Sequence, residues 1–237
     1  MPEAVYQVAI DGPAASGKSS TARRVAADLG IQYVDTGAMY RALTLDVLRQ
    51  GITPTRQALI EERLASLDLD WRDGRVLLAG EDVGALIRDN QVSVMMGPIC
   101  AMPSVRRWMV HLQRQVGGRE STVLDGRDIG TVVFPEARFK FFLVADLEER
   151  ARRRRLELTA LGAAPGIETL REELRRRDES DAARATGPLK QAADARLVDT
   201  TRLSLDGQVA LILACVRKGL AERSWDAAND ETTNGHQ

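Results

Sequence analysis

Eight residues near the start of the chain, Gly12, Pro13, Ala14, Ala15, Ser16, Gly17, Lys18 and Ser19, constrain its fold more than any other feature. They satisfy the pattern G-x-x-x-x-G-K-[ST] without a mismatch, and Ser20 adds a second hydroxyl. An apolar run from Val5 to Ile10 precedes them and reads as a buried strand. The stretch Lys18 to Leu29 follows, with alanines and Val25 at helical spacing. That strand, loop and helix setting is what the pattern needs. Glycines let backbone N–H groups converge on an anion, the new helix points its positive end at it, and Lys18 adds a mobile charge. A chance match in a chain of this composition has odds of roughly one in a few hundred before the setting is counted. Gly12 to Ser20 are therefore expected to cradle the phosphates of ATP, with Ser19 offered to Mg²⁺, partly through water.

Such a loop serves kinases, GTPases and motor ATPases alike, so the rest of the chain must discriminate. No asparagine is followed by Lys, so the guanine-reading N-K-x-D pattern is missing, which counts against a GTPase. Coarse periodicity gives strands at Gln32 to Val34, Thr122 to Leu124, Phe139 to Val144 and Arg196 to Val198, separated by helices. Five such strands predict a parallel sheet with helices on both faces and ligands at the carboxyl ends of the strands. A helix is expected from Gly37 to about Gln50. The alternation then breaks: a helix at Arg56 to Ser66, a hairpin turning at Asp73-Gly74, and helices at Asp89 to Ala101 and Pro103 to Val116 form an inserted lobe. Charged helices are expected at Leu147 to Leu161 and Glu168 to Arg184, and a last one at Ser204 to Leu220. This divides the chain into a core (1–36, 118–150, 187–222), the inserted lobe (37–117), a helical lid (151–186) and a polar, unpacked tail (223–237).

The 237 residues carry 33 basic and 34 acidic side chains, a formal charge of -1, which gives no reason to expect a nucleic-acid partner. The arginine runs also lack interleaved aromatic residues for stacking. Two cysteines, Cys100 and Cys215, are too few for a disulfide framework and lack metal-ligand spacing. The apolar stretches are too short for a signal sequence or a membrane span, and no exposed heptad is visible. These features predict a cytoplasmic protein, a monomer, with no membrane partner.

Three further constellations fall at strand ends. Asp35 to Arg41 follows the second strand, where Asp35 or Thr36 can cap a helix and Arg41 can grip an anion one turn inside it. Asp125-Gly126-Arg127-Asp128 follows the third. Arg177, Asp181 and Arg184 share one helical face. Each has a plain alternative: a cap with a surface arginine, an Asp-Gly turn, an exposed ion-paired face. Together, GPAASGKSS, DTGAMYR, DGRDIGTVVFP and RRRDESDAARATGPL, in this order and spacing, resemble the bacterial cytidylate kinases. The resemblance runs from about Val8 to Leu213 and includes the hairpin insert.

That resemblance implies a P-loop kinase that phosphorylates CMP and dCMP from ATP and Mg²⁺. It implies Thr36, Arg41, Arg127 and Arg184 as ligands of the CMP phosphate, and Tyr40, Arg177 and Asp181 as partners of the ribose. Arg106 and Asp128 become readers of cytosine, a pairing that suits the amino donor at C4 and the acceptors at N3 and O2. Lys18, Arg41, Arg127 and Arg184 would stabilise the transferring group. No catalytic histidine is needed, and neither His111 nor His236 receives a role. Gly97 stands where the family carries a base-contacting serine, with Ser93 one turn earlier as a substitute. Ser180 stands where a lid arginine is common, which shifts lid charge to Arg150 and the Arg152 to Arg155 run, or to Arg175 and Arg176. That run, interleaved with Glu148, Glu149 and Glu157, otherwise reads as a solvated helix face. The alternatives are a P-loop kinase for UMP or shikimate, and a non-enzymatic nucleotide switch.

Overall fold

A computed structural model describes residues 5–160, 162–163 and 165–222. The tail expected at 223–237 and Leu161 of the expected lid helix lie outside the described residues. Strand β1 (Gln7–Asp11), helix α1 (Lys18–Leu29), strand β2 (Gln32–Asp35) and helix α2 (Thr36–Arg49) open the chain. Later come β6 (Thr122–Gly126), β7 (Phe139–Val144), β8 (Arg196–Asp199) and the closing helix α8 (Leu205–Glu222). The five strands form one sheet in the order β2-β6-β1-β7-β8, every pairing parallel. The fold is the expected one: a five-stranded parallel sheet with helices on both sides and a separate small antiparallel sheet.

The apolar run of β1 is continuous because both sheet faces are covered. Ala9 points to one side, into a core shared with Val34, Leu124, Met39, Leu43 and Met109. Val8 and Ile10 point to the other, against Ala22 and Val25 of α1 and Val209, Ile212 and Val216 of α8. β1 begins two residues later than expected, since Val5 is exposed, and it extends to Asp11, whose carboxylate is buried.

The insert comprises α3 (Gln57–Leu64), a three-stranded antiparallel sheet of β3 (Leu69–Arg72), β4 (Arg75–Leu78) and β5 (Glu81–Asp82), then α4 (Asn90–Cys100) and α5 (Pro103–Gly117). Asp73 and Gly74, at φ 51° and 71°, make the anticipated hairpin turn. Strand β5 was not anticipated: its turn is Ala79-Gly80, at φ 49° and 77°, and an alanine in that conformation leaves no mark in the sequence. Leu69, Trp71, Val76 and Leu78 face inward and belong to the same core as Ala9 and Leu124. Two charged helices, α6 (Leu147–Ala160) and α7 (Ile167–Ala182), pack on each other near the Gly12–Ser19 loop through a small cluster of Ala14, Ala151, Leu170 and Leu174. Helix α7 stops two residues short of the expected Arg184.

Candidate active site

The loop after β1 has the conformation its glycines require. Gly12 sits at φ 152°, and a Cβ there would lie 2.2 Å from the carbonyl oxygen of Leu143, so no side chain fits. Gly17, at φ 90°, forms the N-cap of α1. Lys18 folds back over the loop, its Nζ donating to the Pro13 carbonyl at 3.1 Å. Burial lowers the pKa of this ammonium and the charge of Arg127 reinforces the shift, while Asp125 opposes it. Ser16 is fully buried and its hydroxyl has no partner among the described residues.

Asp125 is the main addition to the residues anticipated for the triphosphate side. It lies at the end of β6, accepts a hydrogen bond from Ser19 Oγ at 2.6 Å on one oxygen, and from the Tyr33 hydroxyl at 2.8 Å on the other. Burial, and then the charge of Asp35, raise its pKa. A P-loop hydroxyl beside a strand-end carboxylate is a hard-oxygen pair suited to Mg²⁺. The signal for it was available as an acidic residue at the carboxyl end of an apolar strand.

Two arginines of the charged run also depart from the expected solvated face. Arg150 is buried; it donates to the carbonyl of Ala14 at 3.2 Å and to Asp178 of α7 at 2.6 Å. Arg153 donates to Thr200 Oγ1 at 3.1 Å and to the Ser16 carbonyl at 3.4 Å. Residues three apart share the face of α6 that meets the loop, whereas Arg152 and Arg155 point outward. Arg175 and Arg176 are tied to Glu172 and Glu179 on the exposed face of α7.

On the acceptor side, Asp35 caps α2 by accepting from the Ala38 amide at 2.9 Å. The neighbouring Thr36 donates to the Asp125 carbonyl at 2.6 Å. Arg41, whose pKa burial lowers, donates to Ser93 at 2.8 Å, so Ser93 is already engaged on the arginine side. A Cβ at Gly97 would meet nothing within 4 Å. Arg127 donates to Asp181 at 2.7 Å, and Arg184 pairs with the other oxygen of the same carboxylate. Burial works against the Asp181 charge, yet Arg127 and Arg184 outweigh it and hold the carboxyl below its ordinary value. Arg177 makes no hydrogen bond or close ion pair among the described residues; desolvation and the neighbouring Arg127 lower its guanidinium pKa to about 10, while the charge of Asp181 opposes the shift. Arg106 and Asp128 form a buried ion pair, with the Arg106 guanidinium 5.8 Å from the centre of the Tyr40 ring. The nine residues anticipated for the acceptor thus lie on α2, on α5, in the loop after β6, on α7 or just beyond its end.

A further buried carboxylate was not anticipated. Asp11 accepts the amides of Ile129 and Gly130, each at 2.8 Å, and burial raises its pKa to about 7.

A parallel α/β sheet, a complete phosphate loop with its lysine and serine, and a facing row of arginines together define a P-loop phosphotransferase. The chain belongs to the cytidylate kinase family, whose family model matches residues 8–218. It is 47% identical to a cytidylate kinase of Chlorobaculum tepidum over 92% of this chain and 95% of that one. A cytidylate kinase of Mycobacterium leprae matches at 46% over 89% of this chain and 95% of its own length. One from Caldanaerobacter subterraneus subsp. tengcongensis matches at 45%, over 90% and 95%.

Proposed function

We propose that the chain transfers the γ-phosphoryl group of ATP to CMP and dCMP, giving ADP with CDP or dCDP. The observation that carries this reading is the buried Arg106–Asp128 pair, placed beside the arginine row. A guanidinium and a carboxylate match the acceptors and the amino donor of cytosine, while uracil would set an oxygen against the carboxylate.

In this reading Gly12 to Ser20 hold ATP. Mg²⁺ would be held by Ser19 and Asp125, and when bound it neutralises charge on the phosphate oxygens. Thr36, Arg41, Arg127 and Arg184 take the CMP phosphate, and Tyr40, Arg177 and Asp181 the ribose. In the free protein Asp181 holds Arg127 and Arg184 together, so an arriving phosphate exchanges one anionic partner for another without leaving the guanidinium groups unpaired. An oxygen of the CMP phosphate, already anionic, attacks the γ-phosphorus in line as the bond to the β-phosphate oxygen breaks. No base is needed, and rate depends on alignment and on neutralisation by Lys18 and the arginines. Residues 37–117 act as the acceptor lobe, and 151–186 as a lid that excludes water. The reading takes the chain as a cytoplasmic monomer; no helix among the described residues is long and apolar enough to cross a membrane.

The test is ADP release with ATP and Mg²⁺ against CMP, dCMP, UMP, AMP and shikimate, with Asp128→Asn alongside. CMP and dCMP should be preferred. The variant should lose about a hundredfold in kcat/KM for CMP, the scale of an unpaired buried polar group. Equal rates with UMP, or ATP hydrolysis that no acceptor stimulates, would refute the assignment.

A further inference from the structure

Asp11 makes no side-chain hydrogen bond to a residue assigned to either nucleotide, although its charge is felt by Asp128 and Lys18, and it is built with unusual commitment. The residue is only 4% exposed, and both carboxylate oxygens are used, one for the amide of Ile129 and one for that of Gly130. A surface cap would need one oxygen and would stay hydrated; burying a carboxylate costs far more unless its position is required. The two amides it holds open the single helical turn Ile129–Val133. The residue just before that turn is Asp128, at φ -145° and ψ 25°, outside regular helix and strand geometry. The direction of the Asp128 side chain therefore follows from how the turn is hung. The residue just after Asp11 is Gly12, which opens the phosphate loop.

The turn is bounded from its other side as well. A Cβ at Gly130 would lie 3.2 Å from Lys140 Cδ and 3.4 Å from Asp11 Oδ2. Lys140 cannot easily give way, because its Nζ donates to the Pro135 carbonyl and to Asp194.

We propose that Asp11 is a positioning residue for acceptor specificity: by holding the Ile129 and Gly130 amides it aims Asp128 at the base of the acceptor nucleotide. The inference rests on the reading of Asp128 as a base reader. It makes the end of β1 a shared mount, feeding the triphosphate loop through the backbone and the base-reading turn through one side chain.

Asp11→Asn keeps the shape, retains a carbonyl for one amide and turns an N–H donor towards the other. Gly130→Ala pushes the turn from the Lys140 side and leaves the charge unaltered. The readouts are KM for CMP, KM for ATP, and the ratio of kcat/KM for CMP to that for UMP. Asp11→Asn should raise KM for CMP about tenfold and lower the ratio by a similar factor, the scale of one mispaired buried hydrogen bond, with KM for ATP held within about twofold. Gly130→Ala should shift the same quantities in the same direction by less. A loss shared equally by CMP and UMP, or confined to kcat and KM for ATP, would overturn the proposal and leave Asp11 as a structural clamp. Should the asparagine variant fail to fold, the ratio in Gly130→Ala decides. Asp128→Asn separates the two claims. If it leaves the ratio unchanged, the base-reading assignment falls; if it lowers the ratio while both other variants preserve it, only the role of Asp11 falls.

Discussion

Lys18 shows how a single residue is set for the triphosphate that the proposed function assigns to it. Its ammonium is withdrawn from water and set near Arg127, so its pKa lies below the ordinary lysine value of 10.5. Triphosphate oxygens would replace the missing solvation and favour the charged form. The sign follows directly. Between the lowered value of the free protein and the raised value of the complex, binding must take up protons. Calorimetry of ATP binding in buffers of different ionisation enthalpy should therefore show net proton uptake in mildly alkaline solution, and Lys18→Met should abolish it. Release instead of uptake would mean that another group dominates. At this scale the sequence was informative wherever a role depends on neighbours in the chain. The loop glycines, Lys18, Ser19 and the Asp35 cap were legible for that reason. Asp11 was not, because its partner Ile129 is 118 positions away, and for Asp125 only the place at a strand end was legible, its partner Ser19 being 106 positions away.

Among elements, the α6–α7 pair differs from the rest in what holds it. Its apolar cluster has four buried members, Ala14, Ala151, Leu170 and Leu174. Among the described residues its exposed tie is the ion pair Arg171–Glu148, worth about 0–1 kcal/mol, since pairs such as Arg175–Glu172 and Arg171–Glu168 lie within α7 itself. Arg150 is the exception, since it joins α7 to the phosphate loop through Asp178 and the Ala14 carbonyl. Arg150→Ala should cost about 1–3 kcal/mol and act locally, because partners are left unpaired at this seam. Amides of α7 should exchange faster while those of β1 and β6 hold their rates. In the unsubstituted protein, ATP with CMP should slow the same α7 amides; no change on adding both nucleotides would remove the lid from the mechanism. Why this face of α6 was unreadable is also physical. Between Glu148 and Arg155 only Ala151 is uncharged, so no apolar stripe marks the buried side. The sheet strands and the β3–β4 hairpin were readable because continuous apolar runs and an Asp-Gly turn report on local structure alone. Strand β5 and the turn at Ile129–Val133 depend on tertiary contacts and left no such pattern.

For the molecule as a whole, the sheet divides the interior into two large cores. One lies under α1 and α8; the other is shared by the sheet, α2, α5 and the three-stranded insert. The inserted lobe is therefore welded to the sheet by Trp71, Leu78 and Ile99, whereas the α6–α7 pair rests on a third, much smaller cluster. Motion on substrate binding should concentrate where the buried apolar area is least. Trp71 marks the weld. Its indole N–H donates to the Tyr33 carbonyl at 2.9 Å, and its ring meets the Tyr33 ring edge-on at 6.4 Å. The Tyr33 hydroxyl in turn holds Asp125, the carboxylate bonded to Ser19. With Trp108 and Trp225 replaced by Phe, the emission of Trp71 should change on adding Mg²⁺ and ATP in the absence of any CMP, and Tyr33→Phe should blunt the response. An unchanged spectrum at saturating nucleotide would break this chain of contacts. The inserted lobe thus contains an intrinsic fluorophore wired to the phosphate loop, and on the proposed function occupancy of one half would be followed by light emitted from the other.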